Sequence, residues 1–291
     1  MTTAPTDTVA LATQPAGLRA RRHSLLRGLR SSESVVGLVI IGVTVLLGVL
    51  APVLTPHSPF QQTPDAFLPP SSAHLLGTDE FGRDLLARVL FGIRQDLIVG
   101  AIAVPIGAVV GTVLGALSTT SKLIDAVVQR AFDVSLAFTG LVMGVTVAAI
   151  IGPGMPAILV TVALVNIPLF GRLSRNAIRA LQTREYVVAA RIVGAGPLRV
   201  LFRHILPNAL DSLIVQAALS LSMAVFIEGA MSFVGIGIRP PDASLGALLR
   251  TSITFLDRAP VYAIAPMIVV TAMVLAFNLI GDGLNKGLLK R

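Results

Sequence analysis

Long runs of apolar residues, separated by short polar stretches, dominate this chain. The first, Val35 to Leu54, has the length of about 20 residues that a helix needs to cross the hydrocarbon core of a bilayer. Comparable runs cover Leu97 to Ser118, Val127 to Ile151, Met155 to Arg172, Ala209 to Ile227 and Val261 to Ile280. In lipid a spanning segment must satisfy its own backbone hydrogen bonds, so the pattern predicts an all-α polytopic membrane protein with six transmembrane helices. Before the first run, residues 1–33 are rich in Thr, Ala and Pro and then in Arg, and are expected to form a disordered basic tail ahead of an uncleaved anchor, residues 34–54. After it, Pro56, Pro59, Pro64, Pro69 and Pro70 mark an irregular loop. Towards the end of that loop, residues 55–96, Leu85, Leu86, Val89, Leu90 and Ile93 recur at helical spacing, with Arg83, Arg88 and Arg94 on other faces. The expectation is an amphipathic helix, Asp84 to Arg94, lying along the interface, with the remaining five spans in residues 97–291.

Polar and small residues inside the spans add local expectations. Gly107, Gly111 and Gly115 are four apart and form one stripe, where a neighbouring helix of this chain or of a second subunit can approach closely. Arg130 and Asp133 are three apart and can pair on one helix face. Pro168 predicts a kink and Asn166 an interhelical hydrogen bond. Glu228 closes the fifth span; such a carboxylate either reaches water at the interface or serves a substrate or gate.

One polar interruption, Arg184 to Gln216, is more than a connector. Seven Arg lie from Arg172 to Arg203, with apolar spans on both sides. Thr183 to Val193 has no Gly or Pro and reads as a helix, with Glu185 well placed near its N-terminal dipole end. Gly194 supplies a turn, Gly196-Pro197 starts a second helix to Leu206, and Pro207 ends or kinks it where the next span begins. The outer surface of this helix-turn-helix carries Ala189, Ala190, Gly194 and Ala195, small enough for another protein to come close.

Composition changes the picture in two ways. At 54% hydrophobic and 13% charged, with a mean hydropathy of +0.83, the chain is too apolar for a soluble domain. The net charge of +8 would suit nucleic acid, but the basic residues sit in loops beside spans, which membrane topology explains and nucleic-acid binding does not. With both termini cytoplasmic, only Arg83, Arg88, Arg94, Arg239, Arg250 and Arg258 of the 23 basic residues fall outside. That asymmetry puts the Arg184 to Pro207 segment in the cytoplasm.

Catalytic chemistry is not encoded. The only Lys are Lys122, Lys286 and Lys290, none within a GxxxxGK[ST] loop, so the chain has no ATPase site of its own. No Ser stands in a GxSxG setting, there is no Cys, and His23, His57, His74 and His204 are scattered without metal-ligand spacing. No catalytic residue, metal site or bound cofactor is read from the sequence.

Several blocks resemble a known family. Ala189-Ala190, Gly194 and Leu206-Pro207 match the spacing of the EAA loop (EAA-x3-G-x9-I-x-LP) of ATP-binding-cassette (ABC) importer permeases, although Val188 stands where the motif has Glu and His204 where it has Ile. REYVVAARIVGA with HILPN, GTDEFGRDLLARVLFGIR from Gly77, and FVGIGIRPPDASLG from Phe233 are similar to the C-type permeases of bacterial dipeptide, oligopeptide and nickel importers. The resemblance covers about Gly77 to Arg291. It implies a type I ABC importer permease fold with a cytoplasmic coupling helix. It also implies a homologous B-type permease partner, two ATPase subunits that hold ATP and Mg, an extracytoplasmic binding (lipo)protein and a peptide substrate. The residues carried over for ATPase coupling are Glu185, Tyr186, Ala189, Ala190, Arg191, Gly194, Ala195, Leu206 and Pro207. Those carried over as family signature or gate are Gly77, Asp79, Gly82, Arg83, Asp84 and Glu228.

A nickel-importer permease of the same family is the nearest alternative. A stand-alone ion-coupled transporter is the alternative of a different class, and it requires paired ionisable residues deep in the membrane.

Overall fold

The computed structural model describes residues 28–288. Most of the basic tail expected in residues 1–33 lies outside them, as do Lys290 and Arg291. Ten helices are named here in chain order. They are α1 (Ser32–Leu54), α2 (Leu85–Leu117), α3 (Lys122–Ala137), α4 (Gly140–Ile151), α5 (Met155–Gln182), α6 (Glu185–Ile192), α7 (Pro197–Val200), α8 (Leu206–Val234), α9 (Leu245–Ser252) and α10 (Pro260–Leu288). Five helices, with α7 and α8 counted as one, are long and apolar enough to cross a membrane; α3 and α4 make a sixth span if taken together.

Contacts between helix ends require that sixth crossing. Glu33, at the start of α1, receives Lys286 Nζ from the end of α10 at 2.5 and 2.6 Å. Leu284 and Leu288 pack on Val215 and Ala218 of early α8 with Leu29 against them. Asp125, at the start of α3, is held by Arg175 and Arg179 near the end of α5. All these termini therefore share one end of the bundle, the Arg-rich end. At the opposite end, Glu80 accepts from the Tyr262 hydroxyl at 2.7 Å and Gly154 N–H donates to the Ile236 carbonyl at 3.3 Å. Start and finish on one side fix an even number of crossings.

The central seam is α2 on α5. A Cβ on Gly107 would lie 2.7 Å from Asn166 Cβ, one on Gly111 would strike the Ile167 carbonyl, and one on Gly115 the Gly171 carbonyl and the Ser174 hydroxyl. The glycine stripe is thus internal packing, and it lets two backbones touch where no hydrophobic effect drives helices together. Asn166, fully buried in this seam, donates to the Val162 carbonyl of its own helix at 2.8 Å rather than to a neighbour.

Four other expectations are corrected. The segment Asp84 to Arg94 is no interfacial helix: it is the first third of α2, with Leu85, Val89, Leu90 and Ile93 buried together with Arg88. Tertiary pairing made this possible, because Asp79 Oδ2 lies 3.4 Å from Arg88 Nε. The third span is not continuous: α3 and α4 meet at 96°, with Thr139 starting α4 as its N-cap. Asp133 pairs with Arg172 of α5, not with Arg130. Finally α5 runs through Pro168 to Gln182 and α10 to Leu288, each beyond the expected span.

Gly111→Leu is expected to push α2 off α5 and to cost about 1–3 kcal/mol, as overpacking does. Gly42→Leu, facing open space in α1, is the control. Thermal unfolding of the two purified variants in one detergent checks this, and equal midpoints would refute the seam.

Candidate functional site

The first candidate is a compact helical handle at the Arg-rich end. Its α6 starts with Glu185 in the first turn and ends at Ile192, with Val193 as C-cap, after which Gly194 adopts φ +88. That left-handed conformation suits Gly, which has no Cβ to strain it. The turn is closed by Gly194 N–H to the Arg191 carbonyl and by Ala195 N–H to the Ala190 carbonyl, both at 3.0 Å. Pro197 then opens α7, as the sequence predicts.

The helix does not end at Pro207. Residues Leu201–Ile205 form a π-helical turn, the Leu206 N–H reaches back to the Leu201 carbonyl, and the helix continues into α8. Proline in an α-helix clashes with the carbonyl four residues back, and the wider π turn relieves that clash.

The handle is anchored by its own small core, in which Val187 of α6 packs with Ile178, Val200 and Ile205, flanked by Ala116 and Leu181. Asn208 Nδ2 also bonds the His204 carbonyl at 2.7 Å and the Tyr186 hydroxyl at 3.3 Å. Outside, Tyr186, Ala189, Ala190, Gly194, Ala195 and Arg199 line a notch of about 420 Å³. Glu185 and Arg191 are exposed at its edge, while Leu206 and Pro207 are half-buried at the junction with α8. Sequence reasoning missed the apolar rim: Ile192 is 80% and Val193 88% exposed, and Leu198 and Phe202 also face outward. The available signal was four apolar side chains in an otherwise Arg-rich segment.

At the opposite end the signature residues build a loop, not an open site. Asp79 accepts from the Phe81 and Arg83 N–H groups at 2.9 Å and from Arg83 Nε at 2.6 Å, fully buried. Asp84 caps α2 by accepting from Ala87 N–H at 2.7 Å. Gly77 and Gly82 take φ +81 and +68 beneath the Leu68 and Thr63 carbonyls.

Glu228 is not the interfacial carboxylate reaching water: it is 0% exposed within α8. Its Oε1 accepts from Ser232 and from Ser244, the N-cap of α9, each at 2.8 Å. Beside it lies the carboxyl of Asp96 in α2, 1% exposed and in electrostatic contact with Glu228. Both Asp96 oxygens and Glu228 Oε2 lack a hydrogen-bond donor. Asp96 was missed because only the fold brings it to Glu228. The pair joins α2, α8 and α9 at one buried point.

Residues 103–291 match the family of binding-protein-dependent transport system inner membrane components, and residues 29–70 match the N-terminal TM domain of oligopeptide transport permease C. The chain belongs to this permease family. The permease is 38% identical over 261 residues to the dipeptide transport system permease protein DppC of Alkalihalophilus pseudofirmus, covering 89% of this chain and 86% of the relative. It is 40% identical over 220 residues to the glutathione transport system permease protein GsiD of Pectobacterium atrosepticum, covering 75% and 73%. Its fold is that of a type I ABC importer permease. A chain of the MetNI methionine ABC transporter in an inward-facing conformation superposes with a TM-score of 0.53 at 20% identity, over 68% of the permease and 93% of that chain.

Glu228→Ala strands the Ser232 and Ser244 hydroxyls and is expected to cost about 1–3 kcal/mol. Glu228→Gln keeps the acceptor, adds a donor towards Asp96 and is expected to melt close to the unaltered permease. Thermal unfolding of both variants checks this; equal loss would show that Glu228 is held by shape alone.

Proposed function

We propose that the permease forms one half of the translocation pathway of an ATP-driven importer of short peptides, moved through the α6–α7 handle by ATPase subunits bound to it. The observation that carries this reading is the handle itself. It is a helix pair packed on its own small core, with a small-residue notch and an exposed apolar rim, continuous through its π turn with α8. A protein surface that shows Ile192 and Val193 among arginines fits a partner, not solvent.

The Arg-rich end is the cytoplasmic one, in keeping with the excess of basic residues there, and both termini lie on that side. ATP and Mg belong to the two ATPase subunits, since the chain has no phosphate-binding loop. An extracytoplasmic binding protein delivers substrate at the other end. The second half of the pathway comes from a homologous B-type permease. A groove of about 770 Å³ along the bent α3–α4 pair, lined by Ala126, Arg130, Val134, Ser135, Phe138 and Met143, is the surface it would face. Few polar groups there suit a substrate whose side chains vary. Peptide is favoured over nickel because relatives are named for dipeptide, di/tripeptide and glutathione transport, the last a tripeptide.

Closure of the ATPases would displace α6–α7 as a body and drive α5 and α8 with it, alternating access between the two sides. Gly194→Pro tests this. Proline cannot adopt φ +88 and removes the N–H that bonds Arg191. The variant should insert and pair with its partner permease, yet ATP-dependent uptake of a labelled dipeptide into proteoliposomes should fall to the level seen without ATP. Uptake at the unaltered rate would refute the docking role.

A further inference from the structure

Two histidines that the sequence separates meet in the fold. His57 and His74 stack with ring centroids 4.7 Å apart, and His74 Nδ1 lies 2.8 Å from Asp84 Oδ2. One ligand atom from each of the three residues lies within 4.8 Å of the other two. Asp84 is buried and both histidines are half-buried, at the end of the bundle away from the handle.

Each donor is held by a separately anchored segment. His57 follows the end of α1 closely. His74 sits in a turn closed by Ser71 N–H to its carbonyl at 2.8 Å and by its own N–H to Ser71 Oγ at 3.1 Å. Asp84 Oδ1 is committed to capping α2, which leaves Oδ2 directed at His74.

The geometry points to a binding site for one divalent ion of the zinc class, ligated by His57, His74 and Asp84. Two imidazoles and a carboxylate are the donor set that Zn²⁺ and Co²⁺ accept, while Ca²⁺ and Mg²⁺ prefer oxygen donors throughout. A His74–Asp84 hydrogen bond alone would not need a second imidazole. Ligand bonds of about 2.0–2.1 Å place tetrahedral donors roughly 3.4 Å apart, so the 4.8 Å spread must contract by roughly 1–1.5 Å. Rotation of the half-buried His57 ring supplies that movement. A fourth position stays open for water. The bound ion would staple the end of α1 to the start of α2 and fix the 55–84 loop on the face where substrate arrives. It stands apart from the handle and the Glu228 pair, so its failure would leave the coupling reading intact.

The test uses the full-length permease with its partner permease, purified without a histidine tag and titrated with Co²⁺. Expected is one Co²⁺ per chain, with visible d–d absorption that Zn²⁺ abolishes. His57→Ala and His74→Ala should weaken Co²⁺ binding at least about tenfold, the usual scale for losing a ligand or its supporting partner. His204→Ala, at the other end of the bundle, should leave Co²⁺ binding unchanged. His57→Ala is decisive because it leaves the Asp84 cap and the His74 bond in place. Zn²⁺ should also raise the unfolding temperature of the unaltered permease but not that of His57→Ala. A titration without saturable absorption, or one that His57→Ala leaves unchanged, overturns the site.

Discussion

The contact between α2 and α5 is the constraint on which the other elements rest. Within a bilayer, exchanging lipid contact for helix contact gains little from the hydrophobic effect, so association depends on close van der Waals fit. Gly107, Gly111 and Gly115 provide it by bringing the α2 backbone onto Ile167 and Gly171 of α5. At the Arg-rich end of this seam, Ala116 borders the handle's core and Ser174 lies against Gly115. At the other end, α2 carries Asp96, Arg88 and the Asp84 cap. One seam thus orders both ends of the protein.

The ends are also joined through α8. Its first turn continues from the handle, and Glu228 lies 22 residues beyond Leu206, a rise of about 33 Å at 1.5 Å per residue. Glu228 is tied to Ser244 at the start of α9 and lies beside Asp96 of α2. Any displacement of α8 along or about its axis must therefore either carry α9 with it or break buried hydrogen bonds. Buried polar contacts of this kind have few intermediate arrangements, which favours discrete states over gradual yielding.

The spans and the handle were legible because each leaves a local record: apolar length for the former, and Gly194, Gly196-Pro197 and small residues for the latter. What could not be read depends on partners distant in sequence. Arg88 marks a polar face until Asp79, shared with Arg83, and the Pro59 carbonyl partner it and early α2 is buried. Asp133 has a ready neighbour in Arg130 but is taken by Arg172, as Asp125 is taken by Arg175 and Arg179. These pairings consume three of the arginines that otherwise count only towards topology. Asp96, His57 and His74 carry no motif, and their meaning arises only when the loop and the helices assemble. The bend at Thr139-Gly140 did leave a trace, a capping residue before a glycine inside an apolar run, which hydropathy alone overlooks.

The π turn before Pro207 shows how a sequence rule can fail for a physical reason. Proline ends a helix because it lacks an N–H and its ring crowds the preceding turn. Here the turn Leu201–Ile205 is widened, so Leu206 N–H finds the Leu201 carbonyl and the crowding is absorbed without a break. Had the chain broken there, the handle would pivot freely on a hinge and a push on α6 would be lost in the joint. Under the proposed ATPase docking, a continuous helix with one widened turn would instead carry both displacement and rotation into the membrane. The feature that reads as an interruption is therefore the one that joins the handle and the span in one helix.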